Sequence, residues 1–507
     1  MILDRIISGT KAIWAGISAA ASIVFNRYEG GQRYNPNQSQ LIGEVQDPKE
    51  DVPQQDRMEL IRKARWFGKN NGLYCKLKQL YAQNTVGASG LQFTPTTSSQ
   101  EFNTVTQREW EAWCNICDLS SRLTLGQIEY IAMECEFEDG GVLINLTHGD
   151  TQPAKPRIQL FEVHRLSTPS NLSDRKDIID GKQVDERGRV ITYYIDQRFD
   201  RSGSIFTPST SEPKPIDAKN IIHLFDPSRP GQLHGIPKIA PVIDYLHKLD
   251  DLRLLEMKAA FDQSEKSTLI TTATGELSNT GLIRKYATGT ATIDTATNTV
   301  TTEQRMQAIR KTIGGRTFAL KSGETATFLS PTRPTEATRA MWDILTSEVC
   351  AGVNISKQLV YPWSMQGTVV RQDGEQTNAY FRGQSDLAIS TFTRVYHFWL
   401  EWAVQNIPEM ARLKPADYKS VSARPPRAAS VDIGRNSAAM LAELKAGATN
   451  FELIYSPLGL DWRVQIKKLI AQRKFLRDEC AKEDIDPNEV IEAVTKQVQQ
   501  AQGAPTA

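Results

Sequence analysis

Cys114-Asn115-Ile116-Cys117 has the spacing of half a zinc site. A structural zinc needs four ligands, and two thiolates supply only two. No second Cys-x-x-Cys and no His pair accompanies them, and Cys135 is a lone extra ligand. The competing reading is buried helix cysteines beside Trp113, and no metal is expected. The run Glu134, Glu136, Glu138, Asp139 offers hard oxygens to a divalent cation. Alternate positions at a helix terminus do not converge, so a solvated helix end is expected. His223, in an apolar strand, reads as a hydrogen-bonded core residue, and His234, before Gly235, as a turn residue. Neither G-x-x-x-x-G-K-[ST] nor G-x-G-x-x-G occurs, and no Ser, His and Asp set has a nucleophile-elbow context. The chain is therefore read as a non-enzyme with no cofactor.

Charge carries more information. The chain has 507 residues, 60 Lys+Arg against 59 Asp+Glu, and a formal net charge of +1. Near-neutrality excludes a generically basic nucleic-acid coat. With 40% hydrophobic and 23% charged residues, the mix is that of globular protein. Six cysteines are too sparse for a disulfide scaffold and are read as cytosolic thiols. Two stretches are locally basic: Arg57, Arg62, Lys63, Arg65, Lys69, Lys76 and Lys78, and later Arg463, Lys467, Lys468, Arg473, Lys474 and Arg477. Either can face a polyanion or be an ordinary solvated helix face.

The elements that must position these residues change period along the chain. Residues 2–25 are apolar-rich but broken by Arg5 and Lys11. Their uncharged part is too short to span a bilayer. An amphipathic helix that docks on a partner is expected, with a signal peptide as the alternative. Residues 29–55 read as a polar arm. Helices are expected over 56–86, broken at Asn70-Asn71-Gly72, then over 108–116 and 125–133. Strands follow at 142–146, 157–163, 190–195 and 220–225, with a hairpin turn at 185–189. A long helix spans 238–264, about 37 Å at the α-helical rise. Its apolar stripe is Ile239, Val242, Leu246, Leu249, Leu252, Leu255 and Ala259. A Thr-rich insert precedes a second helix over 335–351. That helix carries Ala337, Met341, Ile344, Leu345 and Val349 on one side and ends at Gly352. A polar stretch leads to the longest helix, 375–404, and further helices are expected over 433–446, 461–481 and 488–502. The fold class is α+β.

Several stretches together resemble the portal proteins of tailed phages, in the lambda-like branch. The strongest is Asn220-Ile221-Ile222-His223-Leu224-Phe225 with Arg229-Pro230-Gly231-Gln232-Leu233-His234-Gly235-Ile236-Pro237 leading into the long helix. Arg62-Lys63-Ala64-Arg65 through Asn70-Asn71, then Asn84-Thr85-Val86-Gly87, is similar to the family's opening wing helices. Asp185-Glu186-Arg187-Gly188-Arg189-Val190 with Tyr193-Tyr194-Ile195 is similar to its hairpin, and Ser322-Gly323-Glu324 to its P-G-E turn without the proline. The segment Trp363 to Glu375 departs from the family's N-Y-S-S-x-R-like run.

The resemblance, over about residues 56–490, implies a portal fold with long stem and wing helices, a mixed α/β wing, a small β-containing clip and a helical C-terminal crown. It divides the chain into an N-terminal amphipathic segment and arm (1–55), wing (56–236), first stem helix (237–264), clip (265–334) and second stem helix (335–352). The tunnel loop (353–374), the long wing helix and connection (375–430) and the crown (431–507) follow. It implies a homo-oligomeric ring, twelve subunits in the particle, at the unique capsid vertex of the virion, assembled in the host cytoplasm. Its implied partners are double-stranded DNA, the terminase large subunit, a head-completion or adaptor protein, and the major capsid and scaffolding proteins. Within that frame, Lys357 and Arg371 are the DNA-channel candidates, and Leu246, Leu249 and Leu345 the stem-packing residues. The rival readings are a packaging ATPase, opposed by the missing phosphate loop, and an oligomeric membrane-associated pore anchored by the N-terminal helix.

Overall fold

Asn71 makes the first corner of the chain. Its side chain accepts a 3.0 Å hydrogen bond from the Tyr74 amide, so it separates α1 (Gln54–Asn70) from α2 (Gly72–Thr85) and caps the second. The computed structural model describes residues 47, 52–149, 153–196, 212–264, 268–271, 317–320, 335–361, 367–425, 442–447, 449–455, 462–483 and 486. The expected N-terminal helix, most of the insert and the helix expected over 488–502 lie outside the described residues.

The next two helices are longer than their apolar spacing suggests. α3 (Gln100–Cys114) begins at a Ser99 cap, ahead of the expected start at Arg108. α4 (Leu125–Asp139) begins with a Thr124/Gln127 capping box and runs past Met133 to a left-handed Gly140. Thus the acidic run sits inside a helix, on its last two turns.

The strands form a central antiparallel sheet of order β3-β2-β8: β2 (Val142–His148), β3 (Pro156–Glu162) and β8 (Ile221–Leu224). A four-stranded meander lies beside it: β4 (Ile178–Ile179), β5 (Lys182–Val184), β6 (Val190–Ile195) and β7 (Lys214–Asp217). β1 (Gln92–Pro95) pairs antiparallel with β11 (Val421–Arg424), joining the start of the wing to the connection far downstream. In the insert, β9 (Thr268–Thr271) and β10 (Thr317–Leu320) pair in parallel.

α5 (Ile243–Ser264) starts later than the expected 238, after a single 3-10 turn at Ala240–Val242 that accommodates Pro241. α6 (Glu336–Gly352) is capped by Thr335. After the short α7 (Lys357–Val360), the long helix α8 (Gly367–Asn406) begins eight residues earlier than expected, taking in half of the polar stretch. α9 (Pro408–Leu413) turns back from it, and α10 (Phe451–Tyr455) and α11 (Trp462–Glu483) follow.

The main core lies between α8 and the wing helices. Trp110 packs edge-on to Tyr396 (4.8 Å) and Trp399 (5.0 Å), and Phe93 stacks on Tyr396 (5.8 Å). Such aromatic pairs contribute about 0.5–1.5 kcal/mol each beyond burial. The aromatic half of α8 is therefore anchored on α3 and β1.

Glu129 on α4 is fully buried, with only the Leu91 amide (2.6 Å) donating to it. Burial pushes its carboxyl up to about 8. The folded state thus favours the neutral acid, and stability falls as pH rises from about 4.5 toward 8. Glu129→Gln should raise stability at pH 8 by about 1–3 kcal/mol and change it little at pH 4.5. Denaturant midpoints at the two pH values check this; an unchanged pH slope would refute it.

Candidate functional site

α5 and α6 form an antiparallel hairpin. Gly352, at the end of α6, meets Val242 at the start of α5, and Thr338 reaches Glu256 (3.2 Å) at the other end. A Cβ on Gly352 would lie 2.3 Å from Val242 Cγ1, so glycine serves close approach here. The left-handed residue after the helix is Asn354 (φ 56°), not Gly352 as the sequence suggests.

Leu246, Leu249 and Leu345 are buried in the main core. The expected stripes do not stay buried along the whole hairpin. Ile239, Val242, Leu246 and Leu249 are covered, but Leu255 is 59% exposed. On α6 the buried set is Leu345, Thr346, Val349 and Cys350, whereas Met341 and Ile344 are 50% and 57% exposed. Steps of three rotate the α5 stripe away from α6 after Leu252. Leu254 and Met257 add to the apolar surface left at the insert end.

Lys357 lies on the flank of α6. Its ammonium donates to Asp343 Oδ1 (3.0 Å) and approaches Ser347 Oγ (3.5 Å). Ser356 caps α7, its hydroxyl donates to Asp373 and its backbone amide donates to Thr377 Oγ1 (3.1 Å), so this segment is tied to the first turns of α8. Arg371 has its backbone in those turns, and its side chain lies outside the described atoms. Residues 362–366, between the two candidates, are also outside the described residues.

The acidic run proves to be a set of ion pairs rather than a solvated helix end. Asp139 is gripped by both arms of Arg65 (2.8 and 2.6 Å), and Glu138 by Lys78 (3.2 Å). Glu136, 1% exposed, lies 3.1 Å from Lys238 Nζ and 2.5 Å from the Tyr81 hydroxyl. That hydroxyl is 2.8 Å from Gln384 Oε1, Gln384 donates to Asp226 (3.1 Å), and Lys238 donates to Asp226 (2.6 Å). Burial raises the Glu136 pKa and Lys238 partly offsets it. Burial opposes the Lys238 charge, yet Glu136, Tyr380 and Asp226 overcome this and raise its pKa. Much of the first basic cluster is paired: Arg65 with Asp139 and Lys78 with Glu138 of the acidic run, Arg57 with Asp180 and Arg62 with Glu59, while Lys69 and Lys76 are exposed. Sequence reasoning missed this because the partners are up to 123 residues apart. The basic side chains Lys467, Lys468, Arg473, Lys474 and Arg477 of α11 are exposed.

Cys114 and Cys117 pack in the wing core, and burial raises both thiols, Cys117 to about 12. Among the described residues no His, Cys, Asp or Glu group converges as metal ligands.

The glycines of the His-Gly-Ile-Pro segment have a packing reason. A Cβ on Gly235 would lie 1.7 Å from the Gly140 carbonyl oxygen, and one on Gly140 would lie 2.6 Å from Ile236 backbone. Two chain segments therefore meet backbone to backbone at the C-terminus of α4, and the Lys238 amide donates to Phe137 O (3.0 Å) beside them.

Leu246→Ala removes a fully buried side chain where the wing meets the hairpin. It should destabilise the protein by about 2–5 kcal/mol. An equal loss is not expected for Leu255→Ala, since Leu255 is exposed within one chain. Thermal melts of the two variants distinguish the positions, and equal melts would contradict the packing described.

Comparison with known proteins adds two findings. One solved structure, described as the neck of a native GTA particle computed with C12 symmetry, aligns with 81% of this chain and 95% of its own at 11% identity and a TM-score of 0.41. The family model described as phage portal protein, lambda family, matches residues 35–361, a span that contains the helices α1–α6, the central sheet and the Gly235 approach to the hairpin. The chain belongs to the lambda family of phage portal proteins.

Proposed function

We propose that the chain assembles as a ring of about twelve subunits at the unique vertex of a tailed-phage capsid and conducts double-stranded DNA during packaging and ejection. The family match over residues 35–361 carries this reading. The hairpin supports it: Leu254, Leu255, Met257, Met341 and Ile344 are uncovered in one chain, as an inter-subunit stem would require. The role is structural rather than catalytic. Residues 56–236 serve as wing, 265–334 as clip and 353–366, with the first turns of α8, as the segment nearest the axis. The clip, at the far end of the stem, docks the terminase large subunit and later a head-completion protein. The wing faces the major capsid and scaffolding proteins. Assembly proceeds in the host cytoplasm. No helix among the described residues is long and apolar enough to cross a membrane.

A translocating duplex must not be held tightly, because a continuous basic wall would brake it. The Lys357–Asp343 pair suits that requirement, since a cation already paired offers only transient contact to phosphate. Lys357 with Arg371 makes that contact. The double substitution Lys357→Ala/Arg371→Ala should leave ring assembly intact, because exposed pairs contribute about 0–1 kcal/mol. It should alter DNA packaging or retention in an in vitro packaging reaction. Normal packaging and retention by the variant would remove these residues from the channel assignment.

Deletion of Thr271–Thr302 should leave a ring visible in electron micrographs but abolish terminase binding in a pull-down. Full binding by the deleted ring would place the motor's dock elsewhere.

A further inference from the structure

Five titratable side chains from separate elements meet under the meander, and the function described above uses none of them. Arg57 on α1 donates to Asp180, in the left-handed turn between β4 and β5. Lys182 on β5 is fully buried and donates to the Leu233 carbonyl, in the loop that leads to the stem, and to His223 Nδ1 (3.2 Å) on β8. Its amino group also faces the rings of Tyr193 on β6 (5.8 Å) and Phe225 (5.7 Å), and burial holds its pKa well below the ordinary lysine range. His234, in the same loop, lies 3.5 Å from Asp180 Oδ2, with its ring 6.5 Å from that of His223. His223 has a hydrogen-bond contact at one ring nitrogen, and His234 lies in a bend of the loop with its side chain 10% exposed.

We infer that these side chains form a proton-sensitive latch, which holds the meander and the loop 226–237 onto α1 and β8 while both rings are neutral and releases them on acidification. The geometry fixes the sense of the response. With Lys182 donating to His223 Nδ1, the ring proton sits on Nε2, which has no hydrogen-bond partner among the described residues. A second proton could only go on Nδ1, turning the acceptor into a donor aimed at an amine. For His234, the nearest carboxylate is already taken by Arg57. The groups facing the rings are then Arg57 and Lys182 against Asp180, with Tyr193 alongside. Burial first, and then Lys182 and Arg57, hold both histidines well below their ordinary range. A folded-state pKa lowered from about 6.5 means that the opened form takes up protons first as pH falls. Each histidine then favours opening about tenfold per pH unit below about 6.5.

Hydrogen exchange of the intact protein at pH 7.5 and 5.0, corrected for intrinsic rates, tests the latch. In peptides spanning 178–195 and 221–239, protection should fall by roughly 30-fold or more at pH 5.0. Peptides of α4 should hold their protection. The variant His223→Gln/His234→Gln should lose the pH response of the latch peptides. Should that variant misfold, Lys182→Met, which removes the amine facing His223, should weaken the response. Equal protection of the wild type at both pH values overturns the inference. So does an undiminished response in the folded variant, or a parallel loss of protection in α4.

Discussion

The buried contact between Lys238 and Glu136 ties the segment that leads into α5 to the end of α4. Lys238 follows Pro237 at the approach to the first stem helix, and Glu136 is on the last two turns of α4. Through Tyr81 and Gln384 the same contact reaches α2 and α8. Four elements therefore share one set of buried polar atoms. A buried ion pair is a poor source of net stability, because desolvation offsets the attraction. Removing one partner is costly, about 3–5 kcal/mol, so the contact penalises any other placement of the stem. The Gly140–Gly235 approach reinforces it, since no side chain fits between the two backbones.

The consequences run outward in both directions. Toward the wing, the aromatic cluster of Trp110, Tyr396 and Trp399 fixes the far half of α8. Toward the insert, the hairpin runs out of intramolecular partners and leaves Leu254, Leu255, Met341 and Ile344 uncovered. Apolar area of this kind lowers free energy only when another surface covers it. A half-covered hairpin on a packed core is what the proposed ring requires of its subunits.

Much of this was legible in the sequence, and the failures have one cause. The apolar steps of α5, the strands around Val142 and Val190 and the break at Asn71 are local patterns, and local pattern reports them well. The helix over 335–351 was placed correctly, but the side assigned to Met341 and Ile344 was not. An apolar residue on a helix does not say whether its own chain or another covers it. The acidic run reads as a solvated helix end, and the first basic cluster as a face for a polyanion or for solvent. Two members of each pair with the other, Arg65 with Asp139 and Lys78 with Glu138, and no spacing rule links these or Arg57 to Asp180. The β1–β11 pair was missed for the same reason, since its strands are more than 300 residues apart, as with Gln92 and Arg424. Of the channel candidates, Lys357 proved to be held by α6, a contact across a turn that periodicity does not show.

A double-mutant cycle on Lys238→Met and Glu136→Met, read by denaturant unfolding, tests most directly whether this pair joins α4 to the segment that leads into α5. Each single change should cost about 3–5 kcal/mol, and the double change should recover much of that because the apolar pair leaves no charge stranded. Costs that simply add would show that the two residues act separately and would contradict the account.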